Sequence, residues 1–215
     1  MSSLSLGNGL VISHTEAHHA EALEALQRLV FPHLADQEIL HADQYRHHLK
    51  VFPEGQFVAL DGEKVVGGTT TMRYRFDGSH MPAHTFYDIM GGGWLSTHQP
   101  DGNWLYGLDV SVHPDYRKRG IARGFYRIRQ ELCRQLGLQG QIIVGMLNGY
   151  HRYRQELSVE EYFEQVKSGK LFDPTVSVQQ RIGFQVVSLI NNYLHDETCG
   201  NAGALLVLPA AKDIA

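Results

Sequence analysis

A chain of 215 residues, 43% hydrophobic and 20% charged, can bury one sizeable core, and a single domain over 1–215 is the expectation. No apolar run approaches the roughly 18 residues of a membrane span, and MSSLSLGNGL has neither the basic nor the apolar stretch of a secretory signal. A net charge of −4 argues against a nucleic-acid partner held by bulk electrostatics, and two distant cysteines, Cys133 and Cys199, suit a reducing, cytoplasmic setting with no membrane partner.

In chain order, residues 9–13 read as an opening strand. A helix follows through AHHAEALEALQRLVF, with Leu23, Leu26, Leu29 and Val30 on one face, stopped by Pro32. A second helix fits DQEILHADQYRHHLKVF, with Ile39, Leu40 and Tyr45 inward. The period then changes to two: QFVAL, the turn Asp61-Gly62 and KVVGGTTTMRYRF form a hairpin pattern. Residues 77–100, rich in Gly, His and Pro, read as a long loop, longer than a compact connection needs. WLYGLDVSV (104–112) is a strand candidate. A helix from about Gly120 to Leu136 stops at Gly137, and QIIVGML (141–147) reads as a strand buried on both faces. Residues 148–174 form a second insertion with its own helix behind the capping pair Ser158 and Glu161. A short helix over Thr175–Ile182, the strand FQVVSLI and a last strand ALLVLP complete a mixed α/β sheet flanked by helices.

Chemistry concentrates after the strand at 104–112. Arg117, Lys118, Arg119, Arg123, Arg127, Arg129 and Arg134 face one acid, Glu131, so an acidic chain gathers cations in one place. Strand, glycine loop and helix start coincide in VSVHPDYRKRGIA (110–122). Such a helix start is an anion site: its amides are unpaired, the dipole favours negative charge, and Gly120 lets a phosphate approach. The spacing is neither G-x-x-x-x-G-K-[ST] nor G-x-G-x-x-G, which disfavours ATP and dinucleotides. Thirteen histidines include the pairs His18-His19 and His47-His48, but adjacent side chains diverge on a helix and there is no H-E-x-x-H or CxxC; no metal site is expected.

This segment resembles the acyl-CoA loop of the GNAT N-acetyltransferase superfamily, [QR]-x-x-G-x-[GA] after a V-x-V-x-P strand. Arg117, Gly120 and Ala122 fill the loop pattern, and Val110, Val112 and Pro114 fill the strand pattern. Arg181-Ile182-Gly183-Phe184 is similar to the family's K-x-G-F junction, and the order of elements matches from about 9 to 208. The resemblance implies a GNAT-like acyl-CoA N-acyltransferase fold with two long insertions, at about 77–100 and 148–174. It implies acetyl-CoA as co-substrate, bound by Val110, Ser111, Val112, Arg117, Lys118, Arg119, Gly120, Ile121, Ala122 and Arg123. It also implies direct transfer of an acetyl group, in a ternary complex, to a primary amine on a small molecule or peptide. A coenzyme-A-binding sensor without transferase activity is the alternative, and a homodimer is compatible with the sequence. The second insertion is similar to acyltransferase modules fused to carbon–nitrogen hydrolase domains.

Acyl transfer needs a base for the amine, a donor for the carbonyl oxygen and an acid for the leaving thiolate. The resemblance assigns the second task to a strand amide near Val110. It assigns the third to a tyrosine in the short helix before the K-x-G-F junction, where this chain has Gln179, which cannot act as an acid. Asp109, beside the coenzyme strand, is the candidate base, and Tyr150, His151 and Tyr153, directly after the strand at 141–147, are the candidates for the unfilled role.

Overall fold

The computed structural model describes residues 3–78 and 81–215; Met1, Ser2, Ser79 and His80, the last two inside the first predicted insertion, lie outside the described residues. The chain opens with a hairpin rather than one strand: β1 (Leu4–Gly7) pairs antiparallel with β2 (Leu10–His14) across Asn8-Gly9. Helix α1 (Ala20–Val30) follows a turn of 3-10 helix. Leu29, expected inward, is 49% exposed, while Gln27 is buried. The second predicted helix is shorter than its pattern. Residues 36–38 make one 3-10 turn, Ile39 is extended, and α2 (Ala42–Val51) starts only after His41 and Gln44 form a reciprocal capping box. Ile39, Leu40 and Tyr45 are nonetheless buried as the pattern predicts.

Strands β3 (Phe57–Asp61) and β4 (Lys64–Thr69) form the expected hairpin, with Gly62 at φ +60° in its turn. After Thr70 the chain continues as β5 (Thr71–Tyr74). The region 77–100 is folded rather than loose: α3 (Phe86–Ile89) and the buried Met81, Phe86, Ile89, Met90 and Leu95 give it its own packing. Its Gly91–Gly93 turn is tied to α2 by the His48 ring, 2.7 Å from the Gly93 carbonyl.

The strand predicted at 104–112 is two pieces, β6 (Trp104–Gly107) and β7 (Ser111–Val112). Then come α4 (Ile121–Gln135), β8 (Gly140–Met146), α5 (Val159–Lys167), α6 (Val176–Ile182), β9 (Gln185–Ile190) and β10 (Gly203–Pro209). Ser158 and Glu161 make the predicted capping box on α5. The strands fall into two five-stranded sheets, β1-β2-β3-β4-β7 and β5-β6-β8-β10-β9, in which β6 and β8 are the parallel pair.

Side chains alternate between two apolar layers. Phe57, Ala59 and Leu105 pack with Ile121, Phe125, Ile128 and Leu132 of α4, whereas Val58 and Tyr106 pack on the opposite face with Leu23, Tyr45 and Phe86. No helix among the described residues is long and apolar enough to cross a membrane.

Candidate coenzyme site and acyl-transfer centre

The two sheets part where β6 becomes β7. Thr71 faces Gly107 and Gly68 faces Ser111, so two residues (69 and 70) oppose three (108 to 110): a β-bulge. Asp109 builds it. One carboxylate oxygen accepts from the Thr70 amide at 2.6 Å, while the other accepts from Gln27 at 2.6 Å and from the Ser111 hydroxyl at 3.1 Å. This contact is what turns Gln27 inward at a position the helical pattern would leave to an apolar residue. Burial lifts the Asp109 carboxyl above its ordinary range, although the Thr70 amide and the Arg129 charge pull it back.

Arg129, on α4 and only 1% exposed, completes the bulge: its Nη2 donates to the Asp109 carbonyl at 2.5 Å and to the Thr69 hydroxyl. Across the trans peptide, the Val110 N–H must point away from the carbonyl that Arg129 holds. The ladder agrees. The His113 amide donates to Val66 on β4, so 111 and 113 face β4 while 110 and 112 face the other way. On that other side β8 has departed. Its pairing with β6 runs from Leu105–Gln141 to Gly107–Ile143 and stops, and beyond it β8 continues to Met146 paired with β10. A gap thus opens between residues 110–112 and 144–146. Among the described residues no acceptor is recorded for the Val110 amide.

The loop behind β7 ends at the same place. A 3-10 turn at Pro114–Tyr116 leads into Lys118 at φ +63° and Gly120 at φ +85°, which caps α4. The Arg117 amide is bonded within that turn and the Gly124 amide closes the first turn of α4. From Lys118 through Arg123 no amide has a protein acceptor among the described residues. Arg117, Lys118, Arg119 and Arg123 are exposed, and a Cβ on Gly120 would meet nothing within 4 Å. Unpaired amides at a helix start, open space and four cations fit a pyrophosphate. The predicted residues Val110, Ser111, Val112, Arg117, Lys118, Arg119, Gly120, Ile121, Ala122 and Arg123 therefore follow one another from gap to loop, with the Ile121 side chain buried in the core. Ser111 is turned inward and is spent on Gln27 and Asp109.

Tyr150 and His151 are held in the second insertion. The Tyr150 hydroxyl donates to the Leu157 carbonyl at 3.2 Å, and its ring packs on Tyr162. His151 is exposed, with Nδ1 2.9 Å from the Asn148 carbonyl. The buried Asp173 pins this insertion, accepting from the Gly149 amide, the Tyr162 hydroxyl, and the Thr175 and Val176 amides. No hydrogen bond joins Tyr150 or His151 to Asp109.

Three groups have surroundings that the sequence reading does not give them. Arg129 was counted with the loop cations but lies inside. His84 sits on the face opposite α4, with Nδ1 2.8 Å from the Pro82 carbonyl and Nε2 3.1 Å from the Tyr106 hydroxyl. A carbonyl only accepts, so Nδ1 carries the proton, Nε2 accepts from Tyr106, and Tyr193 lies 3.4 Å beyond. Burial lowers the His84 pKa and favours this neutral ring. The third is Gln179, buried on α6, which donates to the Tyr126 hydroxyl at 3.0 Å. No spacing rule gives the partners of these residues, because each acquires its neighbours from elements distant in sequence.

Residues 20–149 match the model of the acetyltransferase (GNAT) family. The chain is 35% identical over 198 residues to YhcX of Bacillus subtilis, described as a probable hydrolase, covering 92% of this chain and 38% of that protein. It is also 35% identical over 187 residues to YkwB of the same organism, an uncharacterized N-acetyltransferase, covering 86% of this chain and 82% of that one. The chain thus spans well under half of the first relative and most of the second. Among solved structures, the loading GNATL domain of CurA from Lyngbya majuscula superposes with a TM-score of 0.78 at 20% identity, over 94% of this chain and 98% of that one, which shows a shared fold. The chain belongs to the acetyltransferase (GNAT) family.

Proposed function

We propose that the chain moves the acetyl group of acetyl-CoA to a primary amine, by direct attack in a ternary complex. The observation that carries this reading is the break in the sheet between 110–112 and 144–146, which runs into the unpaired amides of 118–123. The loop and the cations Arg117, Lys118, Arg119 and Arg123 would hold the pyrophosphate and ribose phosphate. The Val110 and Val112 amides would pair with the pantetheine arm, and the Val110 N–H would meet the charge developing on the carbonyl oxygen.

Asp109 has both oxygens engaged, which suits it to shaping the bulge that aims Val110. The neutral His84–Tyr106 pair on the face away from α4 would take the proton of an incoming amine at the Tyr106 oxygen as the Tyr106 proton passes to His84 Nε2. The regions 77–100 and 148–174 would then select the acceptor, a small-molecule or peptide amine. We read the 215 residues as one acyltransferase domain acting in the cytoplasm, consistent with two buried free thiols; a homodimer fits this reading as well as a monomer does.

The test is release of free coenzyme A from acetyl-CoA, followed with a thiol reagent across a panel of primary amines and peptide N-termini. Amine-dependent release supports the proposal. Binding of acetyl-CoA without release for any amine would favour the coenzyme-A-binding sensor.

A further inference from the structure

The acid for the leaving thiolate is the one role for which the family's usual position, Gln179, has the wrong chemistry. The structure offers a phenol at the same place from the opposite helix. On β8, Gln141 donates to the Tyr126 carbonyl and to Gln130, both on α4, so Gln141, Ile143 and Gly145 face α4. A Cβ on Gly145 would stand 2.3 Å from Gln179 Oε1, so α6 reaches the sheet there because β8 carries no side chain. Gly145 lies in the part of β8 that has left β6, at the rim of the gap. The closed end of the gap repeats the arrangement: on Gly107, the last β6 residue paired with β8, a Cβ would stand 2.3 Å from Arg129 Nη1. Two bare strand positions therefore admit polar groups of α4 and α6 to the floor of the gap.

Between them lies Tyr126, 6% exposed, its ring edge-on to Phe184 and 5.8 Å from the Arg129 guanidinium. Its hydroxyl accepts from Gln179 Nε2, and no acceptor for its own proton is recorded among the described residues. Gln179 Oε1 and Arg129 Nε are likewise buried without partners, so polar atoms with unused capacity collect at this spot.

We propose that Tyr126 is the catalytic acid of this chain: Gln179, standing in the family's tyrosine position, holds the Tyr126 hydroxyl so that its proton goes to the coenzyme A sulfur. The inference rests on the proposed acetyl transfer. The amine nitrogen bonds to the acetyl carbon, the C–S bond breaks with its electron pair on sulfur, and that pair takes the Tyr126 proton. The amine's proton passes to the His84–Tyr106 pair and on to solvent, from which the Tyr126 tyrosinate is reprotonated, so amine and acetyl-CoA become amide and free coenzyme A with no net proton change. Burial keeps the Tyr126 phenol above the ordinary tyrosine range, so it is protonated at neutral pH.

The experiment needs no acceptor. The thiol of coenzyme A is titrated on the protein by its ultraviolet thiolate absorbance, with desulfo-CoA as blank and with desulfo-CoA affinity measured in parallel. A donor aimed at sulfur stabilises the thiolate, so the bound thiol titrates below free coenzyme A in the wild type. Tyr126→Phe, which keeps the ring, raises that midpoint by about one unit while desulfo-CoA affinity stays within about twofold. Gln179→Leu, which leaves the phenol unheld, shifts it the same way by less. Tyr126→Phe with Gln179→Tyr, which returns the phenol to α6, brings it down again. Equal midpoints in wild type, Tyr126→Phe and Gln179→Leu at unchanged desulfo-CoA affinity would overturn the role of Tyr126 and leave the coenzyme site standing. Failure of wild type to bind desulfo-CoA would overturn the site and this inference with it.

Discussion

The first and third turns of α4 treat the same residue type in opposite ways. Arg117, Lys118, Arg119 and Arg123 stand exposed around the start of the helix, and none has a carboxylate partner among the described residues. Arg129, one and a half turns on, is buried and spends Nη2 on the Asp109 carbonyl and Thr69. Arg134, another turn on, clamps the C-terminal segment through the Ala210 and Lys212 carbonyls and Asp213. A single basic run on paper is thus sorted by helical period into an exposed, unpaired cluster, an internal clamp and a tail anchor. Burying a guanidinium costs free energy unless it is hydrogen-bonded, so Arg129 belongs to the fold, and the unpaired cations belong to whatever carries the opposite charge.

The sharpest way to break this contrast is to truncate the clamp. Arg129→Ala should lower stability by about 3 kcal/mol in urea, because it leaves the Asp109 carbonyl to the Thr69 hydroxyl alone and opens a hole under Gly107. A loss below about 1 kcal/mol would mean the guanidinium adds nothing net. The same rule applied to a cation that can shed its proton predicts a pH effect. Burial pushes His48 down from 6.5 to about 4, with its ring on the Gly93 carbonyl. A depressed folded pKa makes the stabilisation complete above the unfolded value and loses it as pH falls from 6.5 towards 4. The loss is about 3 kcal/mol at most, and His48→Gln should flatten the slope of stability with pH.

How much of this was legible beforehand follows the range of the contacts. The glycine-loop geometry proposed to hold the coenzyme was legible because its pattern is local: Val110, Val112 and Pro114, then Arg117, Gly120 and Ala122 within thirteen residues. The bulge was not, because Asp109 is fixed by Thr70 and Gln27, 39 and 82 residues away. The helix expected at 36–52 lost its first turn to tertiary packing: Ile39 and Leu40 are buried from extended and turn backbone, and Glu38 accepts from the His195 amide at 3.1 Å. The first strand was missed although Asn8-Gly9 is a hairpin signal, since β1 is only four residues long. His84 lies in the irregular part of 77–100, where no periodicity points a side chain anywhere.

Smaller effects sharpen the other side of the contrast. Arg123→Ala should weaken desulfo-CoA binding about three- to tenfold at low salt, with the difference shrinking as salt screens the phosphates. Its thermal stability should move by no more than about 0.5 kcal/mol. An equal loss of stability and affinity would place Arg123 with the clamp. Smallest is a null effect on the buried face of α4. Burial pushes the Cys133 thiol up to about 12, and a native sample should not react with a disulfide reagent at neutral pH until denatured.

The most direct test of the central claim is calorimetric titration of desulfo-CoA into the wild type and into Gly120→Glu. Gly120 has φ +85° and open space where a side chain would stand, so the substitution costs about 1 kcal/mol of backbone strain while placing a carboxylate where the pyrophosphate belongs. Saturable wild-type binding, with affinity reduced at least about 100-fold in a folded variant, is the predicted result. Equal affinity in the two proteins would contradict the assignment of the 117–123 loop to coenzyme A.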